Sequence, residues 1–155
     1  MTSKNQLQTK IEQLESELQS FKEQLNNYKE ITIENASVGD TLEDGSIVLQ
    51  KSNGLALLVA PKNTEVQSTW SQEFSEVFDK LKENGFNPSQ WFVPTKEQLQ
   101  LAYRVIPDSF SSTFYWSSTE WDATAACPVR FGTGDAFYNG KGFTSCVRAF
   151  RCVTY

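Results

Sequence analysis

The sequence predicts an α+β domain carried behind a coiled-coil helix. An apolar residue recurs every three or four positions through the first thirty. Two strand-and-turn patterns and two amphipathic helices come next, and the chain from Phe114 onward reads as short strands broken by glycine-containing turns.

The first element is the most regular. Leu7, Ile11, Leu14, Leu18, Phe21, Leu25 and Tyr28 are spaced alternately by four and three, the seam of a coiled coil. With Ile11, Leu18 and Leu25 at a, the flanking g and e positions pair Lys10 with Glu15 and Glu17 with Lys22. Opposite signs at these positions favour parallel strands in register. Mixed Leu and Ile at a, with Phe21 and Tyr28 at d, lean toward three chains rather than two. A lone amphipathic helix packed on its own domain is the alternative, but it ordinarily shows a wider apolar face. The phase breaks at β-branched Ile31-Thr32-Ile33. The expected organisation is a coiled-coil oligomerisation helix over 1–30, a junction over 31–37 and a globular domain over 38–155.

Asp44-Gly45 and Asn53-Gly54 are hairpin dipeptides, since type I′ turns need positive φ at two central positions. They delimit strands Ser46–Gln50 and Leu55–Ala60, the second apolar on both faces and hence a buried central strand. Trp70, Phe74, Val77, Phe78 and Leu81 recur at helical spacing, with Ser68 or Ser71 as cap and Gly85 at the C-terminal stop. A second helix opens at Thr95, whose capping box with Gln98 precedes Leu99, Leu101, Ala102 and Val105, and ends at Pro107-Asp108. Beyond Phe114, the expected strands are Val129–Phe131, Ala136–Tyr138 and Phe143–Val153. The expected turns are at Gly132–Asp135 and Asn139-Gly140.

Composition narrows the chemistry. The chain of 155 residues has 13% aromatic side chains, a net charge of −5 and no histidine. A pI near 4.8 and the lack of a Lys/Arg cluster argue against nucleic acid. Without histidine, the commonest general base, nucleophile partner and metal ligand are gone. No apolar run approaches a membrane span, and no signal-peptide h-region is present. Of three cysteines, Cys127, Cys146 and Cys152, at least one lacks an intrachain partner. On one extended strand, Cys146 and Cys152 would stand about 20 Å apart, too far to bridge. Pairing of Cys127 with either stays open, and reduced, buried thiols are the plain expectation.

Five segments in order carry a resemblance. They are Asp44–Leu49, Gly54–Pro61, Trp91–Leu99 with its Pro94-Thr95, Tyr115–Glu120, and Val147–Arg151. Together they resemble the Lcl C-terminal-type domain, a bacterial and phage family with a C-type-lectin-like fold, over about residues 38–153. Phe92-Val93 stands where that family usually has Arg-Leu. The resemblance implies two helices flanking a twisted antiparallel sheet, termini close together, and a ligand-binding loop region in the second half. The Glu-Pro-Asn or Gln-Pro-Asp and Trp-Asn-Asp motifs of calcium-dependent sugar binding are missing. Glu120, Asp122 and Asp135 are the only carboxylates in the corresponding loops, too few for calcium.

The residues expected to contact a ligand are Trp121, Arg130, Asp135, Tyr138, Asn139 and Lys141, which combine the ring stacking and polar groups of sugar sites and protein hot spots. Trp116 is expected in the core, and Arg148 and Arg151 in structural hydrogen bonds. The functional expectation is a non-enzymatic virion structural protein, such as a phage fibre, whisker or capsid decoration. It would need no cofactor or metal, form a parallel homo-oligomer leaning to a homotrimer, and assemble in the host cytoplasm for display on the virion surface. Its partners would be other virion proteins through the N-terminal region and a host surface glycan or protein. Alternatives are a retroelement-diversified binding protein, a bacterial adhesin module, or a distant relative of formylglycine-generating enzymes.

Overall fold

Helix α1 runs over Lys4–Asn27. Ser3 and Gln6 open it with a capping box, in which the Gln6 N–H donates to Ser3 Oγ at 3.2 Å and the Ser3 N–H to Gln6 Oε1 at 2.9 Å. The structure, a computed structural model, describes residues 3–27 and 31–155. Tyr28, the last expected seam residue, lies outside them. The chain divides into two units, Met1–Glu30 and Ile31–Tyr155. Within the first, the seam side chains from Leu7 to Leu25 are all 48–72% exposed.

The second unit is α+β. Its strands are β1 (Ile47–Ser52), β2 (Leu55–Val59), β3 (Val66–Ser68), β4 (Phe114–Glu120), β5 (Ala125–Arg130), β6 (Asn139–Gly140), β7 (Ser145–Val147) and β8 (Phe150–Thr154). Its helices are α2 (Ser75–Glu83) and α3 (Lys96–Val105). Where one antiparallel sheet was expected, the strands form two, ordered β1-β2-β8 and β3-β7-β4-β5-β6, and β4 meets β7 in parallel.

Local chemistry explains much of this. Asn53 and Gly54 both have positive φ, 52° and 78°, as a type I′ hairpin between β1 and β2 demands. β2 is the central strand of its sheet, and all of it beyond Leu55 is buried. Thr95 and Gln98 close both bonds of the capping box on α3. Gly85, at φ 86°, ends α2 in a Schellman motif, with the Phe86 N–H bonded to Leu81 O and the Gly85 N–H to Lys82 O.

Several expectations are corrected. Asp44-Gly45 makes a bulged turn instead of type I′, because only Gly45 has positive φ and its N–H reaches back to Leu42 O. Neither Ser68 nor Ser71 caps α2. Ser68 is in β3, Ser71 Oγ accepts from the Phe74 N–H, and the helix starts after Phe74, itself left-handed at φ 45°. Trp70 therefore lies outside the helix and donates from Nε1 to Ser117 O. β5 begins and ends earlier than expected, at Ala125 and Arg130. Asn139-Gly140 is a paired strand against Ala125 and Ala126, while Ala136–Tyr138 contributes a single bridge from Ala136 to Val129. The expected strand Phe143–Val153 breaks at Arg148-Ala149, so Cys146 and Cys152 belong to different sheets. All three thiols are free, and Cys152 is exposed where burial was expected.

The core fills both sides of the first sheet and the space beside the second. Leu57 and Val59 pack with Leu99 and Ala102 of α3, Tyr115, Phe131 and Phe150. On the opposite face, Ala36 joins Val48, Ala56 and Leu58, so residues 31–37 pack as part of the globular unit. Trp70, Trp91 and Trp116 form a third cluster with Val77 and Leu81 of α2. The start and finish of this unit meet at Lys51. Its Nζ donates to Ile33 O at 2.7 Å and Ala36 O at 2.9 Å, and sits 4.6 Å over the Tyr155 ring.

Candidate functional site

The hairpin between β4 and β5 is held by one carboxylate. Asp122 Oδ1 accepts from the N–H groups of Thr124 at 2.8 Å and Ala125 at 2.9 Å, and from Thr124 Oγ1 at 3.1 Å. Those donors, the Thr124 N–H foremost, hold the Asp122 carboxyl below its ordinary pKa. The N–H groups of Trp121 and Asp122 both reach Ala125 O. This tight turn pushes Trp121 outward from a backbone with little freedom.

β6 brings up the second ring. Tyr138 immediately precedes it, and the rings of Trp121 and Tyr138 stack at 4.8 Å with planes 11° apart. They are 60% and 63% exposed, so the stack stands in solvent. Successive strand residues face opposite ways, which assigns Tyr138 and Gly140 to one face and Asn139 and Lys141 to the other.

The six expected residues therefore separate. Lys141 is committed inward. Its Nζ pairs with Glu120 Oε2 at 3.2 Å, donates to Ala123 O at 3.0 Å and lies 4.6 Å over the buried Trp70 ring. Asn139 is half-buried and pairs with Ala126 across β5. Arg130 and Asp135 lie at the other end of β5, four residues or about 13 Å beyond Ala126. There the Arg130 N–H binds Asp135 O at 3.0 Å, and the guanidinium lies 6.0 Å from the Phe114 ring. Glu120, Asp122 and Asp135 are thus engaged or apart, and no group of three metal-ligating side chains forms among the described residues.

Trp116 is buried as expected, its Nε1 donating to Ser68 O. Arg148 makes the expected structural bonds, to Ala60 O at 2.7 Å and to Ser109 O. Arg151 lies 5.9 Å over the Trp91 ring. Two exposed rings were missed. Phe143 stands out in a turn, its ring close to Gly140, and Phe137 sits edge-on to Phe114. The flanking glycines, Gly140 and Gly142, signal a turn at Phe143 that the strand reading passed over.

No protein-family model matches this chain, and no curated protein matches it. The charges around the stacked pair are paired or spent inside the turn. What the surface offers is a rigid apolar platform with hydroxyl and indole N–H groups at its margin, suited to stacking against a sugar ring or an apolar side chain.

Proposed function

We propose that this chain is a non-enzymatic, oligomeric display protein. In this reading, three copies join in parallel through a coiled coil over 1–30, and each carries a C-type-lectin-like head of the Lcl C-terminal type. The observation that carries it is the seam of α1, six apolar side chains on a strict heptad stripe and all about half exposed or more in one copy. Leaving such a stripe in water forgoes roughly 1–2 kcal/mol per side chain, which a second and third helix recover.

The head supports the reading by its surface. The Trp121–Tyr138 stack stands exposed beside β6, the edge strand of the second sheet. Several heads grouped at one end convert weak contacts into avidity. The absence of histidine and the internal employment of Glu120, Asp122 and Lys141 favour binding over catalysis. We assign the protein to a virion surface, as a fibre, whisker or capsid decoration assembled in the host cytoplasm. Its α1 would face other virion proteins, and its platform a host glycan or surface protein.

Light scattering on the full chain tests the assembly, with a mass of three copies expected and a single copy at micromolar concentration overturning it. Glycan-array and host-cell adsorption assays test the platform. Trp121→Ala and Tyr138→Ala are each expected to weaken binding at least tenfold, and unchanged binding removes these rings from the contact.

A further inference from the structure

The hairpin that carries Trp121 leaves one charge unspent. Asp122 Oδ1 takes all three bonds of the turn, and Oδ2 accepts none from the described residues. Those donors keep the carboxyl ionised, and the residue is exposed. Lys141 is close enough to act on Asp122, but its Nζ is bonded to Glu120 Oε2 and Ala123 O. Glu120, Lys141 and Asp122 together sum to one negative charge. Arg130 lies about 13 Å beyond Ala126 along β5, more than the roughly 8 Å screening length of physiological salt.

The rings beside this charge define what can rest there. Trp121 and Tyr138 spend one face each on their own stack, and at 60% and 63% exposure the rest is in solvent. Two rings exposed to this degree offer roughly 250 Å², well short of the about 800 Å² per partner of a stable protein interface. One pyranose matches the area. Its C–H face is apolar and lies flat on an aromatic ring, and its rim hydroxyls donate to an acceptor such as a carboxylate oxygen.

We infer that the platform takes an uncharged pyranose unit, stacked on the Trp121–Tyr138 pair with a hydroxyl donating to Asp122 Oδ2, and that Asp122 turns away sialylated and sulfated glycans. This names the ligand class of the platform proposed above and rests on that reading. Asp122 acts by repulsion. Two like charges about 6 Å apart in near-aqueous surroundings change affinity by about three- to tenfold. Binding of this kind needs no calcium, since the rings and the carboxylate supply the contacts.

Glycan-array binding of the full chain tests this, read on neutral oligosaccharides and on their sialylated and sulfated counterparts, with EDTA present. The neutral members are expected to bind, and the anionic ones more weakly by about three- to tenfold. Raising salt from about 0.1 M to about 1 M is expected to leave neutral binding unchanged and narrow the gap, because exposed charges are screened. Asp122→Asn is expected to close the gap as well, since its remaining carbonyl oxygen still accepts the turn bonds. A gap that survives this substitution overturns the role of Asp122, and neutral binding abolished by EDTA overturns the contact. Anionic glycans bound as tightly as neutral ones, and lost in Trp121→Ala, would overturn the inference and leave the platform standing. So would Trp121-dependent adsorption to host cells with no glycan bound, the outcome for a protein partner. Binding unchanged in Trp121→Ala, or absent from glycans and cells alike, removes the platform and the inference with it.

Discussion

Arg148 Nη1 and Glu65 Oε1 lie 3.3 Å apart, with the arginine 1% exposed. Arg148 occupies the break between β7 and β8, and its guanidinium ties Ala60 O and Ser109 O to that break while stacking 4.6 Å over Phe110. Burial lowers the Arg148 pKa, opposed by the Glu65 charge. Removing the cation strands a largely buried carboxylate and two carbonyls. Arg148→Met is expected to cost about 3–5 kcal/mol in urea unfolding, and Glu65→Gln clearly less, because it can still accept from Tyr115.

The Tyr115 hydroxyl donates to Glu65 Oε1 at 2.6 Å, and its pKa is raised, first by burial and then by that bond. Burial also raises the Cys146 thiol. In both cases the unfolded chain loses its proton first, near about 8.5 for the thiol and 10 for the phenol. Stability is therefore complete below those values and falls as pH rises through them toward the folded-state pKa. Urea midpoints between pH 8 and 11 should decline, and Tyr115→Phe should flatten the part above pH 10. An undiminished slope in that variant rules Tyr115 out as its source.

Gly134 and Gly39 both have positive φ, 79° and 94°. A methyl on Gly134 would overlap the Tyr103 ring, whereas one on Gly39 meets nothing within 4 Å. Gly39→Ala should cost about 1 kcal/mol from backbone strain alone. Gly134→Ala should cost at least about 1 kcal/mol more, read as the difference between their thermal unfolding curves.

Two tryptophans five positions apart should behave oppositely. Trp116 is fully buried and its indole N–H is satisfied, so Trp116→Ala should lose about 3–5 kcal/mol. Trp121→Ala forfeits only an exposed stack with Tyr138, about 1 kcal/mol. Similar losses in chemical denaturation would mean that the platform is part of the core.

Elements set by neighbours along the chain were legible beforehand. The α1 stripe, the Asn53-Gly54 turn, the Gly85 stop and the Thr95–Gln98 box each depend on side chains within a few positions. The candidate site was legible only as a segment. Trp121 and Tyr138 were named together, but so were Arg130 and Asp135, which lie at the opposite end of β5. A list of polar and aromatic residues carries no information about which strand face each one occupies.

Composition and periodicity were enough to specify an α+β unit behind an amphipathic helix, because hydrophobic spacing and turn propensity act locally. Packing settled the rest. The apolar run after Phe143 reads as one strand until Arg148 is drawn inward to Glu65, Ala60 and Ser109, partners at least 39 positions away. Trp116 and Trp121 are chemically identical, and their fates diverge because one faces Trp70 and Val147 while the other sits on a turn closed by Asp122. Contacts between segments distant along the chain make those choices, and their energies exist only once the partners have met.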